Sequence, residues 1–285
     1  MIHSPLTIPG PGPSAADGAI SAQLRLQRLF SPASGRGIMV AVDHGIEGVP
    51  RGLERVQQTI QSLLPLGIEA FLLNPGMFRH VAGLFRGPHR PGVILAVDLY
   101  INSPRPRGTP QGDAHVLIAS VEQAVALGAD AIKAVLVFGQ SDYRAYADNV
   151  ATVARVIDQA HRYGMPVMLE TVVWGQALPR DEWATPEFIG HMMRIGVELG
   201  ADVLKVPYAD PVDEFAALVS ACPVPVTVLG GSHAEEDAVV AAAARALQAG
   251  ARGLVFGRNI WQQRAPAGIV RRLQAVVHAG SEPGR

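Results

Sequence analysis

The 285-residue sequence predicts an α/β fold, a TIM (β/α)8 barrel in a single domain, and three observations lead there. Eight short runs rich in Val, Ile, Leu and Ala recur along the chain with helix-length stretches between them, as parallel strands covered on both faces require. Four of the joints between helix and strand share one design, an apolar residue followed by a glycine that suits a helix C-cap. The length also fits a barrel, which typically needs about 250 residues. An open doubly wound sheet is the alternative architecture for such a repeat.

In chain order, residues 1–20 contain Pro9, Pro11 and Pro13 and lack the basic start and apolar core of a signal peptide, so a disordered or extended tail is expected there. Residues 21–285 form the barrel. Its first strand is Ile38 to Val42, ending at Asp43-His44-Gly45. The second, Ala70 to Leu73, is entered through Leu66-Gly67-Ile68-Glu69. The third, Val93 to Val97, leads into an irregular stretch from Ile101 to His115 with three prolines, which is either a lid over the strand ends or a surface insertion. The fourth, Ala131 to Val137, follows Leu127-Gly128-Ala129-Asp130. The fifth is Pro166 to Thr171, and the sixth, Asp202 to Val206, follows Leu199-Gly200-Ala201-Asp202. Pro225 to Leu229 is the seventh. The eighth, Gly253 to Phe256, is entered through Ala249-Gly250-Ala251-Arg252. Spacings between these runs leave room for one helix each.

Composition narrows the function. With 48% hydrophobic and 17% charged residues the chain can bury a large core. No apolar run approaches the roughly 18 residues of a membrane helix, so no membrane partner is expected. A net charge of -1 without basic blocks gives no electrostatic footprint for nucleic acid. Cys222 is the single cysteine, which excludes an intramolecular disulfide, points to a reducing cytoplasm and reads as a packing residue. Small-molecule chemistry remains as the leading class, with assembly into a homo-oligomer expected.

The chemistry-bearing residues gather at predicted strand ends, where a barrel places its active site. Two lysines stand against twenty-two arginines. High-GC coding accounts for most of that bias, but both lysines lie in apolar strands within near-identical phrases, Gly128 to Lys133 and Gly200 to Lys205. An amine can lose its proton when desolvated and attack a carbonyl, which a guanidinium cannot do. Alternation along strand six turns Lys205 inward with Val203, and desolvation there would lower its pKa. Lys133 shares its face with Val135 and Val137. Glu170, on the strand between them, either divides proton transfer with the lysines or merely pairs with Lys133. Asp43 can orient a substrate hydroxyl or hold a lysine, and His44 adds a group that titrates near neutrality. No second ligand stands at a metal-binding spacing from them, so no metal is expected. Gly230-Gly231-Ser232 after strand seven and Gly257-Arg258 after strand eight match the usual phosphate position of a barrel.

In their order these phrases resemble the bacterial and archaeal class I aldolases of the deoxyribose-phosphate and fructose-bisphosphate aldolase-like superfamily. The resemblance covers about residues 25 to 280. It rests on Val42-Asp43-His44-Gly45, on Gly48 to Leu53, on Gly200 to Lys205, on Cys222-Pro223-Val224-Pro225-Val226 leading to Gly230-Gly231, and on Gly257-Arg258-Asn259-Ile260-Trp261-Gln262. It implies that Lys205 is the Schiff-base lysine, that Asp43 lies in the active site, and that Gly230, Gly231, Gly257 and Arg258 hold phosphate. It further implies an aldehyde-lyase that acts on a phosphorylated ketose through a dihydroxyacetone-phosphate-type donor. No cofactor or metal is then required, because the iminium is the electron sink.

One place departs from the archaeal-type pattern. The Tyr-Pro-Arg-Gly phrase after strand five, whose tyrosine shuttles protons, is replaced by Val172-Val173-Trp174-Gly175. Tagatose-bisphosphate and sulfofructose-phosphate aldolases look similar around Ala131-Ile132-Lys133 and Leu169-Glu170, where a second lysine and a glutamate accompany the Schiff-base lysine. A transferase is the alternative on the same scaffold, either an aminodideoxyheptulosonate-synthase-like enzyme or the thiolase acting on phosphorylated autoinducer-2, whose C-terminus resembles Ala275 to His278.

Overall fold

The computed structural model describes residues 15–101, 113–175 and 177–279. Their strands in chain order are β1 (Gly37–Ala41), β2 (Ala70–Leu73), β3 (Gly92–Ala96), β4 (Asp98–Ile101), β5 (Ala114–Leu117), β6 (Ala131–Phe138), β7 (Val167–Val173), β8 (Val203–Val206), β9 (Val226–Leu229) and β10 (Gly253–Phe256). Eight of them pair in parallel and close in the order β1-β10-β9-β8-β7-β6-β3-β2, which excludes the open sheet. Each predicted strand lies within two residues of an observed one.

Alternation sets the two cores. Met39, Ala41, Leu72, Ile94, Met168, Val203 and Val255 point into the barrel and fill it with Leu29 beneath. Their neighbours Ile38, Val40, Leu204 and Val206 point outward against helix residues such as Ile189 and Met192. Each fully buried side chain of this size contributes about 1.5–3 kcal/mol relative to exposure.

The repeated joints perform two tasks. Gly67, Gly128, Gly200 and Gly250 all have left-handed φ, between 70° and 97°, which ends each helix without a Cβ clash. Three of the joints then supply an acid that ties the new strand to its neighbour. Glu69 accepts a hydrogen bond from the Ile38 amide (2.7 Å), Asp130 from Val93 (2.9 Å) and Asp202 from Val167 (2.8 Å). Arg90 holds Asp130 with two further bonds of 2.7 and 3.1 Å. These contacts fix strand register at the N-terminal face. Three residues beyond Asp130 and Asp202, the interior positions are Lys133 and Lys205.

Two expectations need correction. A helix, Ala15–Leu26, begins inside the stretch expected to be an extended tail. It packs against the helix Tyr143–Arg162, where a side chain at Gly164 would strike the Gly18 carbonyl at 2.5 Å, and Arg25 donates to the Ala129 carbonyl. Tertiary packing thus orders the end of a stretch whose composition reads as a disordered or extended tail. Pro9, Pro11 and Pro13 lie outside the described residues. The stretch from Ile101 to His115 is likewise not irregular at its ends. Ile101 belongs to β4, and Ala114 and His115 belong to β5, its antiparallel partner, while residues 102–112 lie outside the described residues.

The barrel closes between β1 and β10, where Gly37 faces Gly253. A Cβ on Gly253 would sit 2.4 Å from the Gly37 carbonyl oxygen. Gly253→Ala should therefore cost about 1–3 kcal/mol of stability through overpacking. At Gly76, where an added Cβ meets nothing within 4 Å, alanine should not destabilise. Denaturant unfolding of the two variants checks the contrast.

Candidate active site

Register places the charged residues of the barrel interior side by side. On β7, Glu170 is paired with Val135 of β6 on one side and with Lys205 of β8 on the other. Lys133 lies two residues before Val135, so both ammonium groups reach the same carboxylate. Lys205 Nζ is 2.8 Å from Glu170 Oε1, and Lys133 Nζ is 3.7 Å from Glu170 Oε2. Only 5% of each lysine and 7% of Glu170 is exposed. A charge so far from water persists only with partners, and here each has one.

Lys133 has a second partner that sequence reading missed. Asp98, the first residue of β4, sits 3.3 Å from Lys133 Nζ and accepts a 2.7 Å hydrogen bond from the Val135 amide. Behind it, His115 of β5 contacts Asp98 Oδ2 through Nε2 at 2.8 Å. Asn149 accepts from the Val137 amide, which fixes its amide orientation, and its Nδ2 group faces His115 Nδ1 at 2.8 Å and the Val135 carbonyl at 2.9 Å. His115 therefore carries its proton on Nε2 and donates it toward Asp98. The β4–β5 ribbon thus wedges a buried Asp–His pair against the lysine. A signal for Asp98 does exist in the sequence: Ala41-Val42-Asp43 and Ala96-Val97-Asp98 are the same phrase at two strand ends. His115 and Asn149 carry no such signal.

These contacts set the ionisation of the site. Burial alone would raise the Asp98 carboxyl, but Lys133, the His115 hydrogen bond and the Val135 amide outweigh it and hold the group below its ordinary value. Burial likewise pulls Lys133 down, and the charges of Asp98, Glu170 and Asp43 overcome it, so its ammonium is held above its ordinary range. Asp43 also stands below its ordinary value: burial opposes ionisation, and the close contact with His44 together with the charges of Lys133 and Lys205 wins. Asp43 Oδ1 lies 3.3 Å from His44 Nδ1. Lys133 is thus a fixed cation between two carboxylates, whereas among the described residues Lys205 makes an ion pair with Glu170 alone.

Asp43, His44, Asp98, Tyr100, Lys133, Glu170, Trp174 and Lys205 line one pocket at the C-terminal strand ends. The predicted phosphate residues lie beside it rather than in its wall. Asn259 joins the two glycine turns, donating to the Gly230 carbonyl and accepting from the Ala234 amide at 2.9 Å. A Cβ on Gly257 would stand 2.9 Å from the His44 ring, so glycine there lets His44 bridge pocket and turns. Space beside Gly231 is open, and Arg258 has a buried Nε without a hydrogen bond, a donor suited to an anion. Ser232 is exposed at the same turn. Among the described residues no cluster of His, Cys, Asp and Glu is placed to hold a metal ion, and no helix is long and apolar enough to cross a membrane.

Comparisons with known proteins agree with this architecture. The sequence profile of the DeoC/LacD family aldolases matches residues 37–263. A 3-hydroxy-5-phosphonooxypentane-2,4-dione thiolase from Photorhabdus laumondii is 32% identical over 90% of this chain and 82% of its own. A 2-amino-3,7-dideoxy-D-threo-hept-6-ulosonate synthase from Archaeoglobus fulgidus is 29% identical over 89% and 90%. Among solved structures, an archaeal fructose-1,6-bisphosphate aldolase with its catalytic lysine covalently bound to the carbinolamine intermediate superposes with a TM-score of 0.75. It is 26% identical and covers 90% of this chain and 100% of that one.

The pH dependence of stability follows from Asp98. Its folded carboxyl binds a proton more weakly than the unfolded chain, whose ordinary value is 3.8, so its contribution is complete above that value and fades as pH falls below it. Melting temperatures measured from pH 6 down to pH 2 should fall less steeply for Asp98→Asn than for the wild type. Parallel curves would count against the buried pair.

Proposed function

The chain belongs to the DeoC/LacD family of aldolases, and on that premise we propose that it makes or breaks a carbon–carbon bond in a phosphorylated ketose through a Schiff base on Lys205. The observation that carries this reading is the 2.8 Å contact between Lys205 and Glu170 inside the barrel. Glu170 takes the ammonium proton, the free amine adds to the ketone carbonyl, and Glu170 returns the proton to the resulting hydroxyl, which leaves as water to give an iminium ion and a carboxylate again. Glu170 then removes the proton of the hydroxyl on the far carbon of the breaking bond, the one that becomes the aldehyde carbon. The bond electrons move into the iminium, an aldehyde leaves, and an enamine remains. Protonation of that enamine and hydrolysis return the ketone and the amine. Lys133 stays cationic throughout and keeps Glu170 in reach of both groups. Asp43 and His44 hold substrate hydroxyls, while Gly230, Gly231, Ser232, Gly257 and Arg258 receive the phosphate. The iminium supplies the electron sink, so this route calls on no cofactor.

A transferase reading shares the same lysine. It is favoured by the relatives of 32% and 29% identity, a thiolase and a synthase. Turnover in buffer supports the lyase; turnover that requires coenzyme A or a second carbonyl compound supports transfer.

Borohydride reduction in the presence of dihydroxyacetone phosphate should attach the ketone to Lys205, read by peptide mass mapping. Lys133→Met should still be labelled, and Lys205→Met should not. Label on Lys133, or on neither lysine, would contradict the assignment. Glu170→Gln should lower kcat by roughly 10²–10⁴-fold, the span of general acid–base catalysis.

A further inference from the structure

Tyr100 is a pocket residue for which the reaction above has no use. It lies two residues beyond Asp98 on β4, and both are buried while Leu99 and Ile101 are partly exposed, so the two side chains share the barrel-facing side of the ribbon. Its ring packs with Val135, Val137 and Val172 above the lysines and lies 6.2 Å from the His115 ring. Only 4% of the residue is exposed. Its hydroxyl makes no hydrogen bond of ordinary geometry, although Gln140 and Asp113 stand near enough to influence it.

A phenol buried without a partner costs about 1–3 kcal/mol. Most buried hydroxyls avoid that cost through a protein partner. Tyr100 instead borders the same pocket as Lys133, Glu170 and Lys205. We propose that the Tyr100 hydroxyl donates a hydrogen bond to substrate, at the free hydroxyl on the carbon adjoining the carbonyl that Lys205 attacks. The inference rests on the Schiff-base reading of Lys205.

The chemistry of the wall favours an oxygen at this point. Val135 offers that end of the substrate an apolar surface, backed by Val137 and Val172, and Tyr100 adds a polar atom beside it. Burial pushes the phenol up to about 12, with Gln140 opposing and Asp113 reinforcing the shift, so it remains an O–H donor at any working pH. A site built to pair with a substrate hydroxyl rejects the analogue that lacks it, because the protein group is then left unpaired. Tyr100 thereby selects α-hydroxy ketone phosphates over their deoxy counterparts. The chain lacks a tyrosine after β7, and the ribbon brings one to the mouth from the opposite side of Lys133.

Two ketones and one conservative variant test this. Half-saturation of borohydride labelling is measured by intact mass for the wild type and Tyr100→Phe, with dihydroxyacetone phosphate and with acetonyl phosphate, which lacks only the free hydroxyl. Removal of the phenol should raise the half-saturating concentration of dihydroxyacetone phosphate roughly tenfold and leave that of acetonyl phosphate unchanged. Unchanged labelling of the variant by acetonyl phosphate also establishes that it folds. No shift with either ketone, or an equal shift with both, overturns the inference and leaves the Schiff base standing. A wild type labelled by neither ketone overturns the Schiff base, and the role of Tyr100 falls with it.

Discussion

A carboxylate held between two ammonium groups inside a closed barrel is the constraint around which the rest of this molecule is arranged. Asp98, Lys133, Glu170 and Lys205 alternate in sign, with separations of 3.3, 3.7 and 2.8 Å. Desolvation costs several kcal/mol for each such ion, and only close opposite charges with further hydrogen bonds offset it. Removal of one member leaves the next uncompensated, at about 3–5 kcal/mol. The row is therefore a unit, and the asymmetry within it has chemical meaning. Lys133 touches two carboxylates and is locked as a cation. Lys205 touches one.

The barrel delivers this row through register. At the N-terminal face, Asp130 and Asp202 each accept a backbone amide of the adjoining strand. Three residues later the chain has reached the interior with a lysine. The same phrase thus does two jobs, a structural tie below and a charged group above, which explains why the two segments read so alike. On the opposite side the β4–β5 ribbon supplies Asp98, His115 and Tyr100, with Asn149 of the helix Tyr143–Arg162 bracing the histidine. Glycine completes the mouth where backbones meet: a Cβ on Gly175 would overlap the Gly139 carbonyl at 1.9 Å, and Trp174, just before it in the chain, lines the pocket.

Much of this was legible in the sequence because it is periodic. Strand alternation fixed the inward direction of Lys205 with Val203 and of Lys133 with Val135, and the glycine joints marked where four strands begin. Non-periodic features were harder to read. Asp98, Tyr100 and His115 sit on a ribbon of two four-residue strands flanking a proline-rich stretch, and such short antiparallel pairs lack a distinctive pattern. Asn149 faces the site from a helix whose amphipathic pattern speaks only of packing. The helix Ala15–Leu26 was hidden for a related reason, since its order derives from Gly164 and Ala129, which lie far away in the chain.

Partners, rather than sequence phrase or burial, separate the two lysines. The chain contains only two lysines, so protein grown with lysine labelled at Cε with ¹³C gives two side-chain resonances, assigned by Lys133→Arg. Titration by NMR should find the Lys133 resonance at its ammonium position up to and beyond 10.5, the ordinary lysine value, because Asp98, Glu170 and Asp43 outweigh its burial. A Lys133 midpoint below 10.5 would contradict the account.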